Sequence, residues 1–379
     1  MRTKVVTLEE QNRYGTVLRQ VAGALREGAL VVFPTETVYG VAANATHTGA
    51  MERLRRLKGR AAEQVFTVHI PRRSDADRYV ATPTPLSRRL ARKAWPGPLT
   101  IICAVPDPSK EQIAKVISPE QISDIYHESK VGLRCPAHAA ATDLLIEADV
   151  PIVASSANLA GAPPPLNLRA ALRDLGGEVE FAIDCGRTRH NKSSTVVEIH
   201  DHAWTVIREG VIDPRTVERM ARTEILMLCT GNSCRSPIAE YLFRNRLAER
   251  LGTLPADLAK QGYYISSAGT AGFGGASIAE LSAKELAKRN IDSSGHRSQA
   301  LTIELIQRSE LIFAMSYEHR RAVIDLVPSA ADRVLLLDEN GPVADPIGGG
   351  PAEYQNSAAH IEHAVEARLE EFIDEDRRW

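Results

Sequence analysis

The stretch Cys229-Thr230-Gly231-Asn232-Ser233-Cys234-Arg235-Ser236-Pro237 carries the densest chemistry in the sequence, with a thiol placed six residues ahead of a guanidinium. The apolar run Ile225-Leu226-Met227-Leu228 before it reads as a buried strand, and Ile238-Ala239-Glu240-Tyr241-Leu242-Phe243 after it reads as a helix. A loop that enters a helix offers unpaired N–H groups and the positive end of the helix dipole, which together suit a phosphate. Gly231 is expected to permit a tight turn and Asn232 to accept a left-handed conformation. Arg235 offers a planar fork to two phosphate oxygens, and the same positive field favours an attacking thiolate at Cys229. Ser236 is expected to cap the helix and to hydrogen-bond that thiolate, and Pro237 suits a first helical turn. Far downstream, Asp345-Pro346 opens the glycine-rich run Asp345-Pro346-Ile347-Gly348-Gly349-Gly350. A carboxyl there can protonate a leaving group and afterwards activate water. Pro346 biases Asp345 towards an extended backbone, which fixes where the side chain points.

A second constellation lies earlier in the chain. It consists of Pro34-Thr35-Glu36-Thr37-Val38-Tyr39-Gly40, Lys58-Gly59-Arg60, His69, Trp95–Thr100, Arg134-Cys135-Pro136-Ala137-His138, Ser155-Ser156-Ala157-Asn158, Ser194-Thr195 and Arg208. Cations, hydroxyls and amides at strand ends are what a triphosphate and a small polar substrate require.

The elements that must hold these residues alternate between helix and strand. A helix is expected over Tyr14–Glu27, with Val17, Leu18, Val21, Ala22 and Leu25 as its apolar face. Strands are expected at Leu30–Phe33, Phe66–Ile70, Leu99–Val105, Val131–Arg134, Ile152–Ala154, Thr195–Ile199 and Trp204–Arg208. This pattern predicts an α/β domain with a mixed sheet over residues 1–212. Asp213-Pro214-Arg215 reads as a helix start, and a short helical linker is expected over 213–223. Beyond it, strands at Ile225–Leu228, Tyr264–Ser267, Leu311–Met315 and Val334–Leu337 alternate with helices, which predicts a doubly wound parallel domain over 224–379. In that arrangement sites lie at the C-terminal ends of the strands, where Cys229 falls.

The 379 residues suffice for two domains, each with its own core. The start, Met1-Arg2-Thr3-Lys4-Val5-Val6, does not read as a signal peptide, and no apolar run is long enough for a membrane span. Five scattered cysteines, with no pair at zinc-ligand spacing, point to the reducing cytoplasm. Through Arg222 there are 30 basic and 25 acidic residues, and beyond it 16 and 23, a balance of +5 against −7. The mildly basic first half suits an anionic ligand such as ATP or RNA.

Residues 224–379 resemble the low-molecular-weight protein tyrosine phosphatase family, through the Cys229–Pro237 loop, Ser267-Ala268-Gly269-Thr270, His296-Arg297 and the Asp345-Pro346 loop. The resemblance implies Cys229 as nucleophile, Arg235 as phosphate clamp and Asp345 as general acid, with Gly231, Asn232, Ser233, Cys234 and Ser236 completing the phosphate loop. Cys234 would be the neighbour able to form a protective disulfide on oxidation. Ser267–Thr270 and His296 are read as structural. Family members acting on phosphotyrosine often carry aromatic residues after the Asp-Pro pair, where Ile347 and glycines stand here. A threonine at the position of Ser233, with a Gly-Gly loop, resembles the branch acting on protein phosphoarginine; the expected substrate is a phosphoprotein carrying phosphotyrosine or phosphoarginine, with a small phosphate ester as the alternative. Thioredoxin-coupled arsenate reductases share the fold but need further downstream cysteines, and none follows Cys234.

About residues 10–212 resemble the Sua5/YrdC family, which makes threonylcarbamoyl-AMP from threonine, bicarbonate and ATP for a modified adenosine in tRNA. The resemblance implies a twisted mixed sheet, ATP held by Lys58, Arg60, Ser156, Asn158 and Arg208, and threonine or its carbamate held by Thr37, His69, Arg134 and Ser194. It also implies Mg²⁺ accompanying ATP, no tightly bound cofactor or protein-held metal, and partners among RNA (double-stranded RNA included) or tRNA-modification proteins. After Lys58-Gly59-Arg60 the family usually continues with Pro, then Asn-Pro-Leu; Ala61 and Gln64-Val65-Phe66 stand there instead, and Ser193 replaces a usual glutamate. The extra C-terminal domain of Sua5-type relatives gives way to the phosphatase-like half. The expectation is a bifunctional cytoplasmic enzyme. A second reading, motivated by Gln64-Val65-Phe66, makes the first half a non-catalytic nucleotide- or RNA-binding module that regulates the phosphatase.

Overall fold

The structure is a computed structural model and describes residues 2–7, 14–59, 66–272 and 274–376. Arg60, Ala61, Gln64 and Val65 fall outside the described residues. The chain divides into two compact units, the first reaching Ala221 and the second spanning Arg222–Arg377. Among the described residues no helix is long and apolar enough to cross a membrane.

The first unit is built on ten strands: β1 (Lys4–Thr7), β2 (Val31–Phe33), β3 (Gly40–Asn44), β4 (Thr67–His69), β5 (Leu99–Ala104), β6 (Lys130–Arg134), β7 (Ile152–Ser156), β8 (Phe181–Asp184), β9 (Thr195–His200) and β10 (Ala203–Arg208). They form one mixed sheet in the order β1-β8-β2-β3-β7-β4-β6-β5-β9-β10. One face is covered by the helices Tyr14–Arg26 and Ala139–Ala148, which bury Leu18, Val21, Leu25, Leu144 and Leu145 against Val31 and Phe33. The other is covered by the helices Thr48–Lys58, Pro85–Ala94 and Leu168–Leu175. The helix expected to join the halves, Pro214–Met220, starts on Asp213, whose carboxylate accepts from Thr216 N at 3.0 Å. It packs into the first unit's core through Val217 and Ala221, and fully buried Arg89 donates to Ala221 O at 2.7 Å.

Three strands are absent from the sequence reading: β1, β3 and β8. β3 is an unbroken buried run, Gly40-Val41-Ala42-Ala43-Asn44, with no alternation to mark it. It is hydrogen-bonded on both sides, to β2 and β7, both antiparallel.

The second unit has four parallel strands: β11 (Thr223–Cys229), β12 (Tyr263–Gly269), β13 (Leu311–Ala314) and β14 (Val334–Leu336), in the order β12-β11-β13-β14. Strand order reverses at β11, and such switch points open a crevice at the strands' C-terminal ends. Helices Arg235–Leu251, Glu280–Ala287 and Pro351–Asp376 contribute to one core cluster, and Ile303–Arg308 and Tyr317–Leu326 to the other.

Register sets one steric constraint beside the crevice. Cys229 lies opposite Gly269, and a Cβ on Gly269 would come within 2.7 Å of Thr230 O and 3.0 Å of Asn232 N. Both obstructing atoms are backbone and cannot swing away. Gly269→Ala is therefore expected to destabilise the second unit by about 1–3 kcal/mol, as overpacking does. Urea unfolding measures this, and an unchanged midpoint would show that the loop does not press on the strand end.

Candidate functional site

In the second unit, β11 ends on Cys229 and the chain turns into the helix Arg235–Leu251. The turn is shaped by Asn232, which is fully buried with φ of +54°. Asparagine tolerates the left-handed region, and here every polar group of the residue is engaged. Its N–H points at Cys229 Sγ at 3.3 Å, and its Nδ2 donates to Ser236 Oγ at 3.0 Å and to Ser267 Oγ at 2.8 Å. Its Oδ1 accepts from Gln299 N at 2.8 Å, and its carbonyl accepts from His296 Nε2 at 2.8 Å. Ser267 Oγ in turn donates to Glu240 at 2.6 Å. Ser267 and His296 are thus structural supports of the loop itself, reaching it from other parts of the chain.

Cys229 Sγ lies 3.0 Å from Ser236 Oγ, so the serine hydroxyl can support a thiolate. Ser236 does not cap the helix, as the sequence reading expected. It sits inside the first turn, the cap position falls on Cys234 with no side-chain bond, and the serine hydroxyl is engaged by Cys229 and Asn232. Gly231 has no positive φ, and the close backbone approach falls on Gly269. Arg235 is 5% exposed; its Nη1 donates to Val343 O at 3.1 Å, and its Nη2 donates to Thr230 Oγ1 at 3.4 Å and pairs with Asp345. Cys229, Asn232, Ser236, Arg235 and Asp345 thus converge at one strand end. Ser233 and Cys234 follow in the loop, 3.6 Å apart, and Tyr354 brings its hydroxyl to 3.5 Å from Cys234 Sγ. Tyr354 was not singled out from the sequence.

In the first unit, sheet register does the gathering. His69 and Arg134 are direct neighbours at the ends of β4 and β6. β5 and β9 bring Thr100 Oγ1 to 3.1 Å from Ser194 Oγ, and β10 brings Arg208 Nη2 to 2.9 Å from Ser194 O and Oγ. His69, Arg134, Ser156, Ser194 and Arg208 line one cleft of about 90 Å³. Thr37 reaches it through its hydroxyl, which accepts from Arg134 at 2.6 Å. Lys58, 6% exposed at its helix C-terminus, donates to Ser156 O at 2.8 Å and to Asn158 O. Arg60 lies outside the described residues. Glu36, also missed from the sequence, is buried beneath Arg134: its Oε1 accepts from Arg134 at 2.8 Å and its Oε2 from Ala137 N at 3.0 Å.

Two features of the cleft point to an anionic ligand with a donor group. Among the described residues, Arg134 Nε is buried without a hydrogen-bond partner, which a carboxylate or carbamate would relieve. His69 Nδ1 donates to Thr67 O at 3.1 Å, leaving Nε2 as an acceptor. Burial, then the charge of Arg134, pushes His69 down from 6.5 to about 3. Among the described residues no group of three or more His, Cys, Asp or Glu is arranged to hold a metal ion.

Comparison with known proteins assigns both halves. Residues 23–210 match the Sua5_yciO_yrdC family model, described as telomere recombination, and residues 224–378 match the low molecular weight phosphotyrosine protein phosphatase model. A threonylcarbamoyl-AMP synthase of Pyrococcus abyssi is 34% identical over 203 residues, 54% of this chain and 56% of that protein. One from Mus musculus is 31% identical over 208 residues, 53% of this chain and 69% of that protein. A solved structure of P. abyssi Sua5, a doubly substituted variant, aligns with a TM-score of 0.50 at 21% identity, covering 88% of this chain and 98% of that one, and shows the fold alone. The chain belongs to the Sua5/YrdC family through its first unit. Its second unit is a low-molecular-weight phosphatase domain, and the chain spans little more than half the length of the Pyrococcus relative.

The neutral state of His69 has a measurable consequence. Between pH 6.5 and about 3 the unfolded chain binds a proton on this histidine that the folded chain does not. Its contribution is intact above pH 6.5 and is lost as pH falls through that window, by up to about 5 kcal/mol. Denaturant unfolding of the first unit across this range is expected to show a shallower decline in His69→Gln. Equal slopes would mean that His69 is protonated in the folded state.

Proposed function

We propose that the chain is a bifunctional enzyme: a threonylcarbamoyl-AMP synthase joined to a cysteine-dependent protein phosphatase. For the first unit, the buried unpartnered Arg134 Nε beside neutral His69 carries the reading. The amine of threonine combines with bicarbonate to give a carbamate, with loss of water. Arg134, Thr37 and Ser194 would hold its anionic groups, and His69 Nε2 would accept from a donor on threonine. The carbamate oxygen attacks the α-phosphorus of ATP and pyrophosphate departs, with Lys58, Arg60, Ser156, Asn158 and Arg208 on the nucleotide side. Mg²⁺ accompanies ATP as part of the substrate. In this reading the activity serves tRNA modification in the cytoplasm, with double-stranded RNA or tRNA-modification proteins as partners. Purified chain is expected to release pyrophosphate from ATP only when threonine and bicarbonate are both present, and Arg134→Ala to abolish that release. ATP binding without turnover, with phosphatase rates that respond to ATP, would instead favour a non-catalytic regulatory module.

For the second unit, the convergence of Cys229, Arg235 and Asp345 carries the reading. Cys229 thiolate attacks phosphorus while Arg235 and the loop N–H groups hold the equatorial oxygens. The phosphorus–leaving-group bond breaks and Asp345 supplies the proton to the departing atom. Asp345 then takes a proton from water, which attacks the cysteinyl phosphate and releases the thiolate. Cys229→Ser is expected to reduce turnover by at least about 10³-fold while inorganic phosphate still binds. Retained turnover would remove the nucleophile assignment.

Among phosphoprotein substrates, phosphoarginine is favoured over phosphotyrosine. Ile347, 71% exposed beside Asp345, offers no aromatic face for a phenyl ring, and Ser233 is a small hydroxyl residue. A higher kcat/KM on phosphotyrosine peptides than on phosphoarginine peptides would reverse that order.

A further inference from the structure

His319 lies outside the phosphate loop and outside every motif read from the sequence. It stands on the third residue of the helix Tyr317–Leu326, which follows β13, and is 4% exposed. Its two ring nitrogens are both engaged. Nδ1 is 3.0 Å from Ser316 Oγ, the helix cap, and Nε2 is 2.9 Å from Thr230 Oγ1. Thr230 Oγ1 is also the atom to which Arg235 Nη2 donates at 3.4 Å. A guanidinium can only donate, so the threonine oxygen accepts from Arg235 and its one proton is free for Nε2 of the imidazole. Ser316 Oγ then accepts the Nδ1 proton, as it also accepts the backbone N–H of His319 at 3.4 Å.

We infer that His319 is a positioning residue of the phosphatase site, holding Arg235 in register for phosphate through the hydroxyl of Thr230. The inference rests on the phosphatase reading above. Its physical content lies in what else holds the guanidinium. Arg235 has three holds here: Val343 O, Thr230 Oγ1 and the carboxylate of Asp345. To act as general acid, Asp345 must leave the arginine when substrate arrives. Val343 O then restrains one nitrogen and Thr230 the other, and only the latter hold depends on a rotatable hydroxyl. The imidazole removes that freedom. A neutral ring is required, because a second cation beside Arg235 would repel it. Burial, then Arg235 itself, lowers His319 to about 4, with Asp345 opposing in part.

The test compares His319→Leu, Thr230→Val and His319→Gln in the full chain, reading inorganic phosphate affinity by calorimetry, KM and kcat on an aryl phosphate, and thermal stability. Thr230→Val conserves volume, so it keeps the test open should His319→Leu fold poorly. His319→Leu and Thr230→Val are each expected to weaken phosphate binding and raise KM by about ten-fold, as loss of one hydrogen bond to a charged group does. The change in kcat should be smaller. The double variant should be no worse than either single one, since both break the same chain of contacts. His319→Gln, which restores an acceptor, should recover most of the affinity. Wild-type phosphate affinity and KM in Thr230→Val, or in a folded His319→Leu that loses only stability, would overturn the inference while leaving the phosphatase reading intact. A wild-type chain that neither binds phosphate nor hydrolyses the ester would overturn both.

Discussion

One buried amide residue organises the second unit. Asn232 is held in the left-handed region with no exposed surface, and each of its four polar groups is spent on keeping the phosphate loop open. An unpaired buried donor or acceptor costs about 1–3 kcal/mol, so a residue with every bond made resists any other loop conformation. Its N–H faces Cys229 Sγ while Ser236, Ser267, His296 and Gln299 occupy its other groups, and of these Ser267, His296 and Gln299 come from outside the loop. Those three arrive from β12 and the segment after the helix Glu280–Ala287, which ties the loop's shape to the packing of the whole unit. The thiol at the end of β11 can do chemistry because the asparagine three residues later cannot move.

The first unit solves a related problem chiefly with strands. Its polar side chains are presented by neighbouring strand ends, so sheet register does the work that a loop does in the second unit. His69 and Arg134 meet because β4 and β6 are parallel and paired at those residues. Ser194 and Arg208 meet because β9 and β10 are joined as a hairpin. A slip of one residue in either pairing would turn these side chains to the opposite face, which makes the buried apolar faces of the sheet part of the site.

The fold class was legible because both halves alternate strongly between helical and strand periods, and because the parallel order of the second unit leaves continuous apolar runs. What escaped was of two kinds. β3 carries no pattern of its own: Gly40–Asn44 becomes a strand by being hydrogen-bonded on both sides within the sheet. β1 and β8 pair with each other across more than 170 residues of chain, a partnership no local window contains. The phosphate loop was legible as a contiguous stretch, yet its supports Glu240, Gln299 and His319 were not, since each is an ordinary polar residue until folding places it. Gly231 drew attention through its place in the motif, whereas the steric need falls on Gly269, on the neighbouring strand. Glu36 shows no role within its own motif, because its partner Arg134 lies 98 residues away.

Both units rest an arginine against a carboxylate, and the difference in exposure separates their uses. Glu36 is 4% exposed and also accepts from a backbone N–H, so Arg134 is fixed against a charge that water does not reach. Breaking such a pair by removing one partner costs about 3–5 kcal/mol, because the other charge is left buried and alone. In the proposed reading Arg134 keeps its carboxylate and would meet a ligand through the edge that Glu36 does not occupy, where Nε has no hydrogen-bond partner. Asp345 is 36% exposed, and its pairing with Arg235 is open to solvent on one side. A partly exposed pair of this kind is screened and weak. A phosphate dianion, with more charge and better geometry for the guanidinium fork, can displace the carboxylate without stranding either charge. In the proposed mechanism the ion pair between Arg235 and Asp345 is the one that releases the acid when substrate enters, and the holds on Arg235 from Val343 and Thr230 are what keep the fork in place during that exchange.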